Sequence, residues 1–188
     1  DATANQFLVH ALREQRPDDG LLSEESSDTE ERLGKRRVWI VDPVDGTRAF
    51  VAGLPVWTIL IGLAENDRAI LGVIDQPWLD ERYVGLTDKD WSAWLLGRGT
   101  KTQLVTRRLQ HLTEAILSTT DPFILTPPER GAFEHIRATA KITRYGLDAY
   151  AYARLAAGTI DMVIESGLKS HDVAALIPVI HGAGGLVT

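Results

Sequence analysis

The chain has 188 residues, of which 44% are hydrophobic, enough to bury one sizeable core and form a single domain. It contains no cysteine, which excludes disulfides, thiolate metal sites and a cysteine nucleophile, and makes a reducing compartment, the cytoplasm, the expected location. A formal net charge of -6 without a basic stripe argues against a nucleic-acid partner, and no apolar run approaches the roughly 20 residues that cross a bilayer, so no membrane contact is expected.

Phe7, Leu8, Ala11 and Leu12 recur at helical spacing and predict an amphipathic helix over Asp1 to Gln15. A turn at Arg16-Pro17-Asp18-Asp19-Gly20 leads into the short apolar run Leu21-Leu22, which stops at Ser23-Glu24-Glu25-Ser26. This reads as a strand ending in carboxylates, although a solvated loop would carry the same residues. The polar run from Ser26 to Arg37 reads as a loop.

Val38-Trp39-Ile40-Val41 then reads as a buried strand that runs into Asp42-Pro43-Val44-Asp45-Gly46-Thr47. Pro43 has no N–H for a ladder and biases Asp42 toward extended geometry, so the strand is expected to end there and turn. The turn would bring Asp42 and Asp45 together. Two such carboxylates repel each other unless a cation lies between them, and hard oxygen ligands favour magnesium, manganese or calcium. Gly46 and Thr47 precede a short helix over Arg48 to Val51 whose free N–H groups would receive a phosphate. Taken alone, D-P-V-D-G-T reads more readily as a turn than as a site. The further acidic segments near both ends of the chain favour the site.

Trp57 to Leu63 and Ala69 to Ile74 flank Glu65-Asn66-Asp67-Arg68, a hairpin signal, and Glu81 to Leu86 and Trp91 to Leu95 continue an antiparallel meander. Thr113 to Thr120 and Lys141 to Tyr145 read as two more strands, separated by a helix that Thr126-Pro127-Pro128-Glu129 starts as a capping box. Asp148 to Ala157 is a helix of small residues closed by Gly158, and Thr159 to Glu165 alternates as a strand that delivers Glu165 toward its end. A loop then leads to an apolar helix over Val173 to His181, with Asp172 near its N-terminus, a place that suits a carboxylate even without a metal.

Several motifs are rejected. Gly97-Arg98-Gly99-Thr100-Lys101-Thr102 lacks the Gly-Lys-Ser/Thr run of a phosphate loop, the five histidines form no zinc pattern, and no G-x-S-x-G elbow is present. His10 and His135 read as helix-surface residues. His171, beside Asp172, reads equally well as a substrate contact or as a plain loop residue.

At Leu22-Ser23-Glu24-Glu25-Ser26, Trp39 to Thr47 and His171-Asp172-Val173-Ala174-Ala175, the chain resembles the inositol monophosphatase superfamily of magnesium-dependent, lithium-sensitive phosphatases. Gly72 to Pro77, Glu81-Arg82, Arg144 to Tyr152 and Glu165 to Lys169 resemble the histidinol-phosphate phosphatases of this type. Ser23 stands where glycine is usual, Leu21-Leu22-Ser23-Glu24-Glu25 followed by Arg37-Val38-Trp39-Ile40 also resembles the bacterial 3'-phosphoadenosine 5'-phosphate phosphatases, and His171 replaces a usual aromatic residue. The resemblance implies a layered αβαβα sandwich (α/β), a homodimer, and further helices before Asp1 and more chain after Thr188. It implies that Glu24, Asp42 and the carbonyl of Val44 bind one Mg²⁺ and that Asp42, Asp45 and Asp172 bind a second, with a third, weaker ion near Glu24. Glu24 and Thr47 would orient the attacking water, Thr47 being held by Asp1, which matches the family's Thr-Asp motif. The backbone at Gly46 and Thr47 would hold the phosphate of a small phosphomonoester, while Asp148, Glu165 and His171 would meet its alcohol. On the residues alone, Asp148 is equally a helix N-cap.

Overall fold

The computed structural model describes residues 1–87 and 90–188. A seven-stranded sheet runs in the order β1 (Gly20–Ser23), β2 (Arg37–Asp45), β3 (Thr58–Glu65), β4 (Arg68–Gln76), β5 (Glu81–Thr87), β6 (Trp91–Gly97) and β7 (Thr100–Gln103). The pairing of β1 with β2 is parallel and every other pairing is antiparallel. A second, three-stranded parallel sheet has the order β10 (Met162–Val163), β8 (Ile116–Thr119) and β9 (Ile142–Tyr145).

Among the described residues, six α-helices complete the layers: α1 (Ala2–Gln15), α2 (Thr47–Val51), α3 (Pro127–Arg137), α4 (Ala149–Ala156), α5 (Ser170–Val173) and α6 (Leu176–Gly182). Helix α1 covers the outer face of the large sheet at the β1–β2 edge, where Asn5 accepts a 2.6 Å hydrogen bond from the hydroxyl of the buried Ser23. On the inner face, Leu60, Ile74 and Tyr83 are fully buried against Ala149 and Ala153 of α4 and Leu176, Val179 and Ile180 of α6. Side chains of that size contribute about 1.5–3 kcal/mol each on burial. Beyond α4 lies the small sheet, whose Leu117 packs with Leu125 and with Phe133 of α3. The result is the α/β sandwich that the sequence predicts.

The close seating of α6 depends on β4. A Cβ at Gly72 would lie 1.9 Å from the carbonyl oxygen of Ala175, so only glycine lets the backbone before α6 rest on the sheet.

Three expectations are corrected. Strand β2 does not end at Asp42. It continues through Pro43 to Asp45, with Asp42 opposite Leu60 and Asp45 opposite Thr58, so three steps on β2 face two on β3. That extra residue is a β-bulge, which accommodates a proline without a ladder N–H. The single helix over Val173 to His181 is two pieces, because the ring of Pro178 would collide with the carbonyl four residues earlier in a continuous helix; in α6 it sits in the first turn, where its missing N–H goes unmissed. The strand over Thr159 to Glu165 shrinks to Met162–Val163, the part that meets β8. In keeping with its rejection as a phosphate loop, the segment at Arg98 and Gly99 is a hairpin turn: both residues have positive φ, the signature of a two-residue type I′ turn joining β6 to β7.

Candidate active site

The bulge in β2 sets the floor of the site. Asp42 is buried, and its Oδ1 accepts the N–H of Val44 at 3.0 Å, closing the local turn that carries the chain toward Asp45. Asp45 accepts the N–H of Ala149 at 2.7 Å and the hydroxyl of Thr58 at 3.3 Å, both on Oδ2. Asp172, the third residue of α5, accepts the N–H of Lys169 at 2.6 Å and so caps its own helix. One carboxylate oxygen from each of Asp42, Asp45 and Asp172 lies within 4.8 Å of the others. Three hard oxygen donors gathered so closely fit a magnesium-class cation.

The electrostatics agree with that fit. Burial raises the Asp42 carboxyl well above its ordinary value, and the neighbouring charges of Asp45 and Glu24 push it further. Asp45 is pushed up to about 7, first by burial and then by Asp148, Asp172 and Glu165, against the lowering effect of the Ala149 N–H. Such groups are costly to ionise together without a cation. Glu24 follows the end of β1 and stands beside Asp42. His171 is buried, with its Nε2 3.6 Å from Glu24 and 3.5 Å from Asp172, so it adjoins the acidic cluster and is absent from the lining of the pocket beside it.

Gly46 has φ 80° and precedes the five-residue helix α2. A Cβ there would approach the Asp148 side chain to 3.2–3.3 Å, so the glycine serves both the left-handed turn and the contact. The hydroxyl of Thr47 donates to the Val44 carbonyl at 3.1 Å. This differs from the expected partner, Asp1, which is exposed at the N-cap of α1. The turn itself supplies an acceptor three residues back. The Val44 carbonyl retains a second lone pair.

Above this floor a pocket opens between the two sheets. Its wall carries Asp148 and Glu165, with Tyr152, Ile124 and Leu168 as its less polar lining. Asp148 occupies the N-cap position of α4, yet its side chain makes no capping bond and its backbone is strained, at φ 47° and ψ -140°. Asp45 binds the first helical N–H instead. The Asp148 carboxyl is raised by burial and lowered by the charge of Arg48. Glu165 lies just past β10. Its Oε1 accepts the N–H and hydroxyl of Thr120 at 2.8 and 2.5 Å, and its Oε2 accepts the Tyr152 hydroxyl at 3.2 Å. Burial raises its carboxyl, and those three donors oppose the shift.

Thr120, Tyr152 and Arg48 are site residues that sequence reading misses. Tyr152 lies in an ordinary small-residue helix, Thr120 ends a short strand, and Arg48 follows the motif without belonging to it. Among the described lining residues Arg48 alone is cationic, and it pairs with Asp121 at 3.6 Å. The alternation ending at Glu165, the place of Asp148 at a helix start, and the family resemblance are the sequence signals that point toward this wall.

A family model described as the inositol monophosphatase family matches residues 1–188. The bifunctional phosphatase IMPL2, chloroplastic, of Arabidopsis thaliana is 39% identical over 191 residues, which cover all of this chain and 53% of the relative. A histidinol-phosphatase of Mycobacterium tuberculosis is 33% identical, covering all of this chain and 72% of the relative. An inositol-1-monophosphatase of Caulobacter vibrioides is also 33% identical, with 73% of the relative covered. Among solved structures, an inositol monophosphatase from Zymomonas mobilis matches with a TM-score of 0.83 at 38% identity, covering 98% of this chain and 68% of that one. The chain thus spans about half of the Arabidopsis relative and about seven-tenths of the others. With a family match along its whole length and the same fold, the chain belongs to the inositol monophosphatase family.

Proposed function

We propose that this chain forms the catalytic unit of a Mg²⁺-dependent phosphomonoesterase whose substrate is histidinol phosphate, which with water yields histidinol and inorganic phosphate. Asp42, Asp45 and Asp172 would hold one Mg²⁺, and Glu24, Asp42 and the Val44 carbonyl would hold a second. Bound Mg²⁺ supplies charge neutralisation for the phosphate and activates a water at neutral pH. Glu24 accepts a hydrogen bond from that water, and Thr47, whose own proton is committed to Val44, can only accept from it as well. The backbone at Gly46 and Thr47 receives the phosphate.

The observation that carries the substrate is the wall. Two carboxylates outside the metal cluster, Asp148 and Glu165, face the place of the leaving alcohol beside Tyr152, Ile124 and Leu168. Histidinol brings an ammonium and an imidazole, which satisfy two half-buried carboxylates through charge-assisted hydrogen bonds while the ring lies against apolar surface. Relatives named histidinol-phosphatase support this choice. Inositol offers hydroxyls, which Glu165 could accept, but it gives Asp148 no cation. For 3'-phosphoadenosine 5'-phosphate the second phosphate would need a free cation, and Arg48 is paired with Asp121. A metal-binding module without turnover would have no use for the wall.

Phosphate release by the full-length protein with Mg²⁺ tests this reading, with histidinol phosphate, inositol 1-phosphate and 3'-phosphoadenosine 5'-phosphate at matched concentrations. Preference for histidinol phosphate is expected. Preference for either alternative keeps the metal site and overturns the substrate, and no Mg²⁺-dependent release supports the module.

A further inference from the structure

Glu165 is held unlike any other carboxylate of the site. A carboxylate offers about four acceptor directions. Thr120 fills two of them on Oε1, through its N–H and its hydroxyl, and Tyr152 fills one on Oε2. The direction left over therefore belongs to Oε2, the oxygen with a single protein donor. The three donors come from the end of β8 and from α4, while Glu165 itself follows β10, so the carboxylate cannot rotate without breaking bonds to both neighbours. Helix α4 is in turn fixed to the floor, because the N–H of Ala149 is bound by Asp45. One helix thus spans from a floor carboxylate, through Asp148 and Tyr152, to Glu165.

We propose that Thr120 and Tyr152 are positioning residues that set leaving-group selectivity, by presenting Glu165 as a carboxylate with one acceptor direction free for a cationic N–H donor of the alcohol. Thr120 and Tyr152 donate to Glu165 and oppose the upward shift that partial burial imposes on its carboxyl. A leaving group bearing an ammonium or a protonated azole completes the set. A polyol supplies a weaker donor to the same direction. This inference rests on the reading of the wall as the leaving-group subsite.

The test uses the full-length protein with Mg²⁺ and two phosphate esters, histidinol phosphate and inositol 1-phosphate. Tyr152→Phe is expected to raise KM for histidinol phosphate about tenfold, the worth of one hydrogen bond to a charged acceptor, with kcat changed less than about twofold. Thr120→Val should act in the same direction, and Thr120→Ser, which keeps the hydroxyl, should restore the parent KM. The ratio of kcat/KM between the two esters should fall by about the same factor in Tyr152→Phe and Thr120→Val. Equal losses on both esters, or no loss on either, overturn the positioning role. Glu165→Gln separates the two levels of the argument. If it leaves the ratio intact, the reading of the wall fails; if it collapses the ratio while Tyr152→Phe and Thr120→Val do not, only the positioning inference fails.

Discussion

The acidic groups on the floor of the pocket and those on its wall share a chemistry and differ in what supports them. On the floor, Asp42 and Asp172 each accept one backbone N–H, from Val44 and Lys169, Asp45 accepts two donors on a single oxygen, and one oxygen of each of the three lies within 4.8 Å of the others. On the wall, Glu165 receives three donors. The first arrangement leaves negative charge uncompensated and calls for a metal ion. The second compensates most of the charge and leaves one direction for a ligand.

The largest effect should come from breaking the floor. Asp42→Asn is expected to lower kcat/KM by about a thousandfold or more, roughly 4 kcal/mol of transition-state stabilisation, with an unchanged far-ultraviolet spectrum. A loss of less than about tenfold would remove Asp42 from the metal site. Next in size is the seat of α6. Gly72→Ala places a Cβ against the Ala175 carbonyl and should destabilise the fold by about 3 kcal/mol in denaturant titration, weakening Mg²⁺ binding as Asp172 is displaced. An unchanged midpoint would mean that the sheet and helix separate at no cost.

The pH response sharpens the contrast. In the metal-free chain Asp45 is pushed up to about 7 and Asp42 is raised too, from an unfolded value near 3.8, so the folded state binds more protons than the unfolded state between those limits. Stability then falls as pH rises through that window, because the slope of unfolding free energy with pH follows protons bound in the unfolded state minus those bound in the folded. With chelator, Tm should drop by about 5 °C or more between pH 5 and pH 8, and saturating Mg²⁺ should abolish the drop. A chelated protein with a flat Tm would contradict the electrostatic account of the floor. The smallest effect belongs to the wall: Asp148→Gly relieves a strained backbone at φ 47° and should raise Tm by about 2–4 °C while lowering preference for histidinol phosphate. A fall in Tm would show that the side chain of Asp148 supports the fold.

Much of the floor was legible in the chain itself. Asp42 and Asp45 are three residues apart at a strand end, and such spacing is local enough to read. Asp172 was legible as a residue near the start of an apolar helix, although that helix proved to be two, because a proline at position 178 looks the same whether it begins a helix or interrupts one. The wall was less legible. Glu165 stood out from its alternation, but its partners are 13 and 45 residues away, and nothing local in Thr120 or Tyr152 announces a bond that only the meeting of β8, β10 and α4 creates. The bulge at Pro43 was hidden for a related reason: proline forbids a ladder bond at one residue, and whether the strand stops or steps over it is decided by the partner strand.

Asp45 also joins two kinds of event that are usually observed separately. Its Oδ2 is the acceptor for the first helical N–H of α4, and its carboxylate belongs to the cluster assigned to the metal. Drawing that carboxylate toward an ion would lengthen or polarise the hydrogen bond from the Ala149 N–H. The amide proton of Ala149 is thus a built-in spectroscopic reporter, whose chemical shift and exchange rate would register filling of the floor without a label and in the absence of any substrate.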